Sequence, residues 1–341
     1  MGCLFSKSAN HTKLSEDESP QEFSWDKRKQ LDVKNFVLDK QSGETIGRLP
    51  GSINGQQFII QNCENCDIYV FDHCATVTVD DCVNCRIFIA AIKSSIFVRD
   101  CTDCVVATSC QQFRTRDCKK LTAFLCCVTQ PIIESTTGVK FGCLKMFYPQ
   151  FEQHLQAAGI SRFNNNWNNI HDFTPVPGEN NCSFLQQQVS LTDYLPLPTV
   201  EPLNTIEVSV EARNSVIPYT VGSKQRPAGH SCLIAIFHFN HQIQLTTNVM
   251  AMLQEFILVQ TAEMTMNDSQ AKRVFKKNDC LPQITAGPVI MLEYSVHDVE
   301  AIQNILKKAD HREMLHISDS IEDGAREIDC LNNLTEMQMS V

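Results

Sequence analysis

Between Phe58 and Thr115 apolar and polar positions alternate with period two, and the alternation repeats: Phe58, Val77, Ile96 and Phe113 form one apolar column, and Ile60, Val79, Val98 and Thr115 the next. Beyond a corner in each unit, Ile68, Ile87 and Val106 align, followed by Val70, Ile89 and Thr108. Each unit therefore reads as two short strands, joined where Asp81, Asp100 and Asp117 precede a cysteine. The pairs Cys63/Cys66, Cys82/Cys85 and Cys101/Cys104 recur every 19 residues, with a weaker echo at Cys118 and Leu121. A period of about 20 residues without helical periodicity predicts a right-handed parallel β-helix, whose turns bury their inward faces only against one another.

The pattern then changes twice. From about Val176 to Gly229 the repeat is lost and prolines stand among polar residues, as in a linker or draped segment. Beyond it, Leu233–Phe237, Phe256–Val259 and Gly287–Tyr294 read as strands, alternating with helical stretches at Leu245–Gln254, Gln270–Lys277 and Val299–Lys308. That alternation predicts a ferredoxin-like α/β unit. The expected fold class is thus α+β overall, an all-β β-helix followed by an α/β domain. The expected organisation is a flexible acylated tail (1–22), the β-helix domain (23–175), the linker or draped segment (176–229) and the α/β domain (230–341).

Composition sharpens this picture. A length of 341 residues suits about two domains, and no stretch approaches the roughly 18 consecutive apolar residues of a spanning helix. A net charge of −10 argues against nucleic-acid binding. The 17 cysteines are the anomaly. Their CxxC pairs fall within zinc-ribbon spacing, but a third pair at the same interval inside near-copies of one segment fits buried fillers of a repeat better. The expectation is free thiols in a reducing compartment, with no metal ligand and no cofactor of the protein's own.

Met1-Gly2-Cys3-Leu4-Phe5-Ser6 fits the acceptor for N-myristoylation at Gly2. One myristoyl chain binds membranes only marginally, and palmitoylation of the adjacent Cys3 would supply the second anchor. Lys7 and Lys13 are followed by Glu16, Asp17 and Glu18, so charge contributes little. Membrane attachment is therefore expected through the myristoyl and palmitoyl chains.

On the repeat, inward Phe113 and Thr115 send Gln112, Arg114 and Arg116 outward. The preceding turn places Ser95, Phe97 and Arg99 alongside, and a following turn widened to 20 residues would stack Ile133 on Phe113 and set Glu134 beside Arg114. Such a row is either a surface ion pair on a solvated face or a preformed anion probe, since a held guanidinium fork matches phosphate oxygens.

Cys110-Gln111-Gln112-Phe113-Arg114, set in this cysteine repeat, resembles the QQxR signature of the tubulin-folding cofactor C family. Gly47-Arg48-Leu49-Pro50-Gly51, Gln130-Pro131-Ile132-Ile133-Glu134-Ser135 and Asn169-Ile170-His171-Asp172-Phe173-Thr174-Pro175 extend the likeness along the chain, and the acylated start and C-terminal half narrow it to one branch. The resemblance implies an activator, not itself an enzyme, for the GTP form of an ADP-ribosylation-factor-like small GTPase. Arg114 would be its arginine finger, Gln112 an orienting neighbour, and Glu134 the residue that positions Arg114. Ser94, Ser95, Gln111, Phe113, Arg116 and Phe173 would contact the GTPase or its nucleotide. GTP and Mg²⁺ would belong to the partner. The implied setting is a monomer on the cytoplasmic face of the plasma membrane, including the ciliary base, acting in trafficking of lipidated cargo. The alternative on the same surface is a non-catalytic effector or scaffold that binds the GTP form.

The C-terminal half resembles nucleoside diphosphate kinase through Gly287-Pro288-Val289 and through His316-Ile317-Ser318-Asp319-Ser320, which is similar to that family's phospho-acceptor motif. His316 would be the vestigial nucleophile. Ile317 stands where the family has glycine, His238 where it has lysine, and only 21 residues separate Tyr294 from His316, too few for its phosphate-gripping arginine segment. The expected role is an interaction or structural module rather than a kinase.

Overall fold

The computed structural model describes residues 33–276 and 281–339. Within them, short strands beginning at Val37–Asp39 stack in parallel into a β-solenoid, whose pairing joins twelve strands in one sheet system. The expected columns are the ones that form: Phe58 pairs with Val77, Val77 with Ile96 and Ile96 with Phe113. Across the corner, Ile68 pairs with Ile87, Ile87 with Val106 and Val106 with Ala123. All these side chains are buried in one continuous core.

The corners explain the Asp and Asn pattern. Asn62, Asp81, Asp100 and Asp117 take φ of 54°, 50°, 52° and 54°, and three residues later Asn65, Asn84, Asp103 and Lys120 take 55°, 51°, 55° and 55°. Asn and Asp tolerate this left-handed region far better than β-branched residues do. Between the paired corners, single bridges run from Glu64 through Val83 and Thr102 to Lys119. The repeat cysteines lie just inside, at most 1 % exposed. The thiols of Cys63, Cys82, Cys101 and Cys118 donate to the carbonyls of Gln61, Asp80, Arg99 and Arg116 at 3.2, 3.3, 3.0 and 3.2 Å. A small apolar residue with a weak donor suits a buried corner whose carbonyl has a spare lone pair.

One register differs from expectation. Arg114 pairs with Ile132, Thr115 with Ile133 and Arg116 with Glu134, so this turn has 18 residues rather than 20. Turns of 18 and 20 residues both leave Ile133 facing the core, so the hydrophobic pattern does not tell them apart, and Pro131 bonds to the other edge, its carbonyl accepting from His171 N at 2.8 Å.

A second core covers another side of the solenoid, where Tyr69, Phe71, Phe88 and Phe124 meet Tyr148, Phe151 and Leu155 around the helix Phe151–Ala158. Leu191, Leu195, Leu203 and Ile217 of the proline-rich stretch pack onto the same surface, and Tyr69 donates its hydroxyl to Pro196 O at 2.6 Å. Cys182–Phe184 adds a parallel strand beside Val139–Cys143. The helix is tied down through Asp72. Burial opposes ionisation of Asp72, but the backbone N–H groups of Asn54, Ile53 and His73 outweigh it and hold the carboxyl below its ordinary range. Burial lowers the pKa of His154.

The C-terminal region forms an antiparallel sheet of His230–Ile236, Ile257–Met264, Val289–Val296 and Leu315–Ile317, ordered second, third, first, fourth, which is the ferredoxin-like arrangement. Helices Gln242–Met252 and Val299–Leu306 cover one face, and Asp268–Phe275 with Ile321–Met339 the other. The helix expected at 270–277 begins earlier because Asn267 and Gln270 form a capping box. The fourth strand and the last helix were not apparent in the hydrophobic pattern. Among the described residues no helix is long and apolar enough to cross a membrane.

The sheet is fastened to the solenoid along its edge strand. Val221 and Gly222 donate to Leu258 O and Val259 O at 3.1 and 2.8 Å, and the Asn164 amide exchanges two hydrogen bonds with the Glu263 backbone at 3.0 and 2.7 Å. Covering an edge in this way blocks unwanted strand pairing. Close by, Glu293 is fully buried, held by Arg226 at 2.8 Å and by the Ser231 hydroxyl at 2.6 Å. Removing Arg226 strands a buried carboxylate, so Arg226→Ala should lower stability by about 3 kcal/mol, and adding Glu293→Gln should recover part of it, read from urea unfolding midpoints of the full chain.

Candidate functional site

The outer face of the later solenoid turns collects the residues singled out in the sequence. Strand Arg86–Arg99 carries Ser95, Phe97 and Arg99, and the next strand, Val105–Arg116, sets Gln112, Arg114 and Arg116 directly beside them. One turn further, Ile132 and Glu134 flank Arg114 and Arg116, and His171 pairs with Ile132. The strands lie about 4.8 Å apart, so the outward side chains form short ladders across the face.

Each polar member is held differently. The Ser95 hydroxyl donates to Gln112 Oε1 at 2.9 Å, which orients the amide and leaves its nitrogen an unused donor among the described residues. Arg99 Nη2 pairs with Asp80 Oδ2 at 3.0 Å, and Arg116 Nε with Asp117 Oδ2 at 3.3 Å. Arg114 alone among these three is exposed with no hydrogen bond or ion pair among the described residues. Its ladder neighbours, Phe97 and Ile132, are apolar. The Glu134 carboxylate is also exposed, without a partner among the described residues, and it stands opposite Arg116, diagonal to Arg114 rather than beside it. The expected Glu134–Arg114 neighbour pair is displaced by the shorter turn described above.

Aromatic groups frame this charge. Phe97 is 38 % and Phe173 58 % exposed, large values for Phe. Phe173 is fixed by its backbone N–H on Ile133 O at 2.9 Å and by edge contact with His171 at 4.5 Å between ring centres. Asp172 anchors the same segment by accepting from Thr174 N at 2.9 Å and Asn181 Nδ2 at 2.8 Å. Phe113 points inward and is fully buried, so it supports the strand and offers no contact surface. Ser94 is exposed at the strand's bend, its N–H on Ala75 O at 2.9 Å. Gln111 is half-buried, and its carbonyl takes the Thr129 hydroxyl at 3.0 Å. Ile132 and His171 belong to this face as well, and neither carries a sequence signal of its own.

His316 lies elsewhere and in a different setting. It is 5 % exposed, with Phe275 at 4.9 Å from its ring. Its Nε2 meets Glu327 Oε1 at 3.0 Å, while Glu327 Oε2 accepts from the Ser318 hydroxyl at 2.7 Å. Ser318 in turn accepts from Leu233 N at 2.9 Å, so the three side chains lock the last helix to the sheet. A phosphoryl acceptor must be reachable in line by its donor, and this imidazole is covered. Gly2 and Cys3 lie outside the described residues.

The comparisons with known proteins agree with the solenoid's motifs. The tubulin binding cofactor C family model matches residues 55–173. Protein XRP2 of Homo sapiens is 47 % identical across all of both chains, and Protein XRP2 of Danio rerio is 47 % identical over 97 % of this chain and 91 % of its own. Human tubulin-specific chaperone C is 26 % identical over 41 % of this chain and 38 % of its own. Similarity of that strength along the entire length, together with the cofactor C match over residues 55–173, means that this chain belongs to the XRP2 (retinitis pigmentosa 2) family.

Proposed function

We propose that this protein is a GTPase-activating protein, with Arg114 inserted in trans beside the nucleotide of an ADP-ribosylation-factor-like small GTPase. The observation that carries this reading is the state of Arg114: a guanidinium without a partner among the described residues, on a rigid parallel ladder between apolar neighbours, while Arg99 and Arg116 are engaged by Asp80 and Asp117. Phosphoryl transfer develops charge on the γ-phosphate and leaving oxygen. A donor held ready there contributes without reorganisation, and a finger supplied in trans is worth about 10³ to 10⁵ in rate.

The neighbours divide the remaining work. The free amide nitrogen of Gln112, oriented by Ser95, is suited to orient the attacking water, the GTPase's own glutamine or a nucleotide oxygen. Glu134 is diagonal to Arg114, and a diagonal neighbour remains within reach of a long side chain, so its carboxylate serves to steady the guanidinium as it engages phosphate. Phe97 and Phe173 supply the apolar contact that surrounds the charge with protein rather than water, which strengthens its effect. GTP and Mg²⁺ are the partner's, and the protein itself turns over no substrate. Myristoyl and palmitoyl chains at Gly2 and Cys3 would hold it on the cytoplasmic face of the plasma membrane, with release of lipidated cargo near the ciliary base as the biological output. The buried His316 has no part in this reading.

Single-turnover GTP hydrolysis on each ADP-ribosylation-factor-like GTPase tests it. The native chain should accelerate one of them, and Arg114→Ala should remove about 10³ to 10⁵ of that acceleration while binding weakens modestly. Arg114→Lys should stay near the alanine level, because a point charge does not reproduce the fork. Binding of the GTP form without any acceleration by the native chain would identify a non-catalytic effector instead. Phe173→Ala should raise the concentration needed for half-maximal stimulation with less effect on the saturated rate. For the anchor, Gly2→Ala should move the protein from membrane to soluble fractions, and Cys3→Ser should leave binding weak and reversible.

A further inference from the structure

Beneath the helix Phe151–Ala158, three side chains that the Arg114 site does not use converge on one point. Asp72 is 1 % exposed. Its Oδ2 accepts from Ile53 N at 2.6 Å and Asn54 N at 2.8 Å, and its Oδ1 from His73 N at 2.8 Å. Oδ1 keeps one further acceptor direction, and two imidazole nitrogens face it: His73 Nδ1 at 3.2 Å and His154 Nε2 at 3.5 Å. The three atoms lie within 4.8 Å of one another, and no other group of three or more potential ligands among the described residues meets that condition. The strand loses register between Val70 and His73, an irregularity of the kind that re-aims side chains.

We propose that Asp72, His73 and His154 are a binding site for one divalent transition-metal ion of the zinc class. A carboxylate that only caps a turn is already satisfied by three amides, and two imidazole N–H groups sharing its last lone pair at 3.2 and 3.5 Å make poor hydrogen bonds. Ligands bound to one ion at about 2.0–2.2 Å stand roughly 3 to 3.6 Å apart, which is the spacing of both carboxylate–imidazole pairs. The outer shell is present as well. The Tyr148 hydroxyl lies 2.6 Å from His154 Nδ1, and a partner on the far nitrogen fixes the tautomer and aims the other lone pair at the ion. His73, with 18 % of its side chain exposed, leaves an approach from solvent and a position for water. Imidazole with carboxylate suits zinc and its neighbours rather than calcium or magnesium. The bound ion would clamp the helix and the turn at Ile53–Asn54 to the solenoid. This departs from the sequence expectation of no metal ligand, because an adjacent Asp-His pair and a distant histidine carry no spacing signature.

Cobalt(II) as a zinc surrogate, titrated into the metal-free full chain, tests the site. One equivalent should bind and develop visible ligand-field bands without the near-ultraviolet charge-transfer band of thiolate ligands, which separates this site from the many cysteines. His154→Gln should weaken binding by more than about 100-fold and Tyr148→Phe by about 10- to 100-fold. Zinc should raise the thermal midpoint of the native chain and not that of His154→Gln. Where His154→Gln loses the fold, His73→Asn, at the exposed end of the cluster, takes its place. No uptake by the native chain, a thiolate band, or uptake unchanged in the folded variant would each overturn the proposal.

Discussion

Register between successive turns is the constraint on which the rest of this molecule depends. A single turn of the solenoid buries nothing by itself, because its inward side chains find apolar partners only in the turns before and after it. Stacking Phe58 on Val77, Ile96 and Phe113 holds only while each turn closes in step with its neighbours. The left-handed corners at Asn62, Asp81, Asp100 and Asp117 enforce that closure, with buried thiols filling the space inside each corner. A slip of one residue would turn the inward columns to solvent, so the arginine-bearing face inherits its geometry from the packing behind it.

That dependence explains which parts were legible in the sequence. Period-two alternation and the 19-residue recurrence expose the columns directly, and Asp before Cys marks corners through a local steric preference. Counting alone does not fix the turn that ends at Ile132, because turns of 18 and 20 residues both leave Ile133 facing the core. The fourth strand of the C-terminal sheet, Leu315–Ile317, is three residues long, too short for alternation to mark it, and holds His316 between two core residues. The convergence of Asp72, His73 and His154 depends on the helix docking, which no local pattern encodes.

The outer face shows how little separates a structural arginine from an available one. Arg99 and Arg116 follow the same strand alternation as Arg114 and project from the same sheet, yet Arg99 is answered by Asp80 on the neighbouring strand and Arg116 by Asp117 at the corner. Arg114 is three positions short of the corner at Asp117 and has Phe97 and Ile132 for neighbours. Leaving a solvent-exposed guanidinium unpaired costs little, since surface ion pairs contribute about 0–1 kcal/mol. The scaffold therefore keeps this side chain unengaged among the described residues at small cost in stability, while the strand beneath it remains fixed by hydrogen bonds on both edges.

Stacked turns also make the molecule a ruler. Each turn advances the chain by one strand spacing, about 4.8 Å, and its inward residues repeat from turn to turn. Gaining or losing one entire turn between Val37 and Arg114 would leave every column continuous while moving the exposed arginine one spacing along the axis. Distance from the first turn is thus a variable that whole-repeat insertion changes in steps, without redesign of the core. In such a lineage, the position of the arginine would be recorded in the number of repeats rather than in any single substitution.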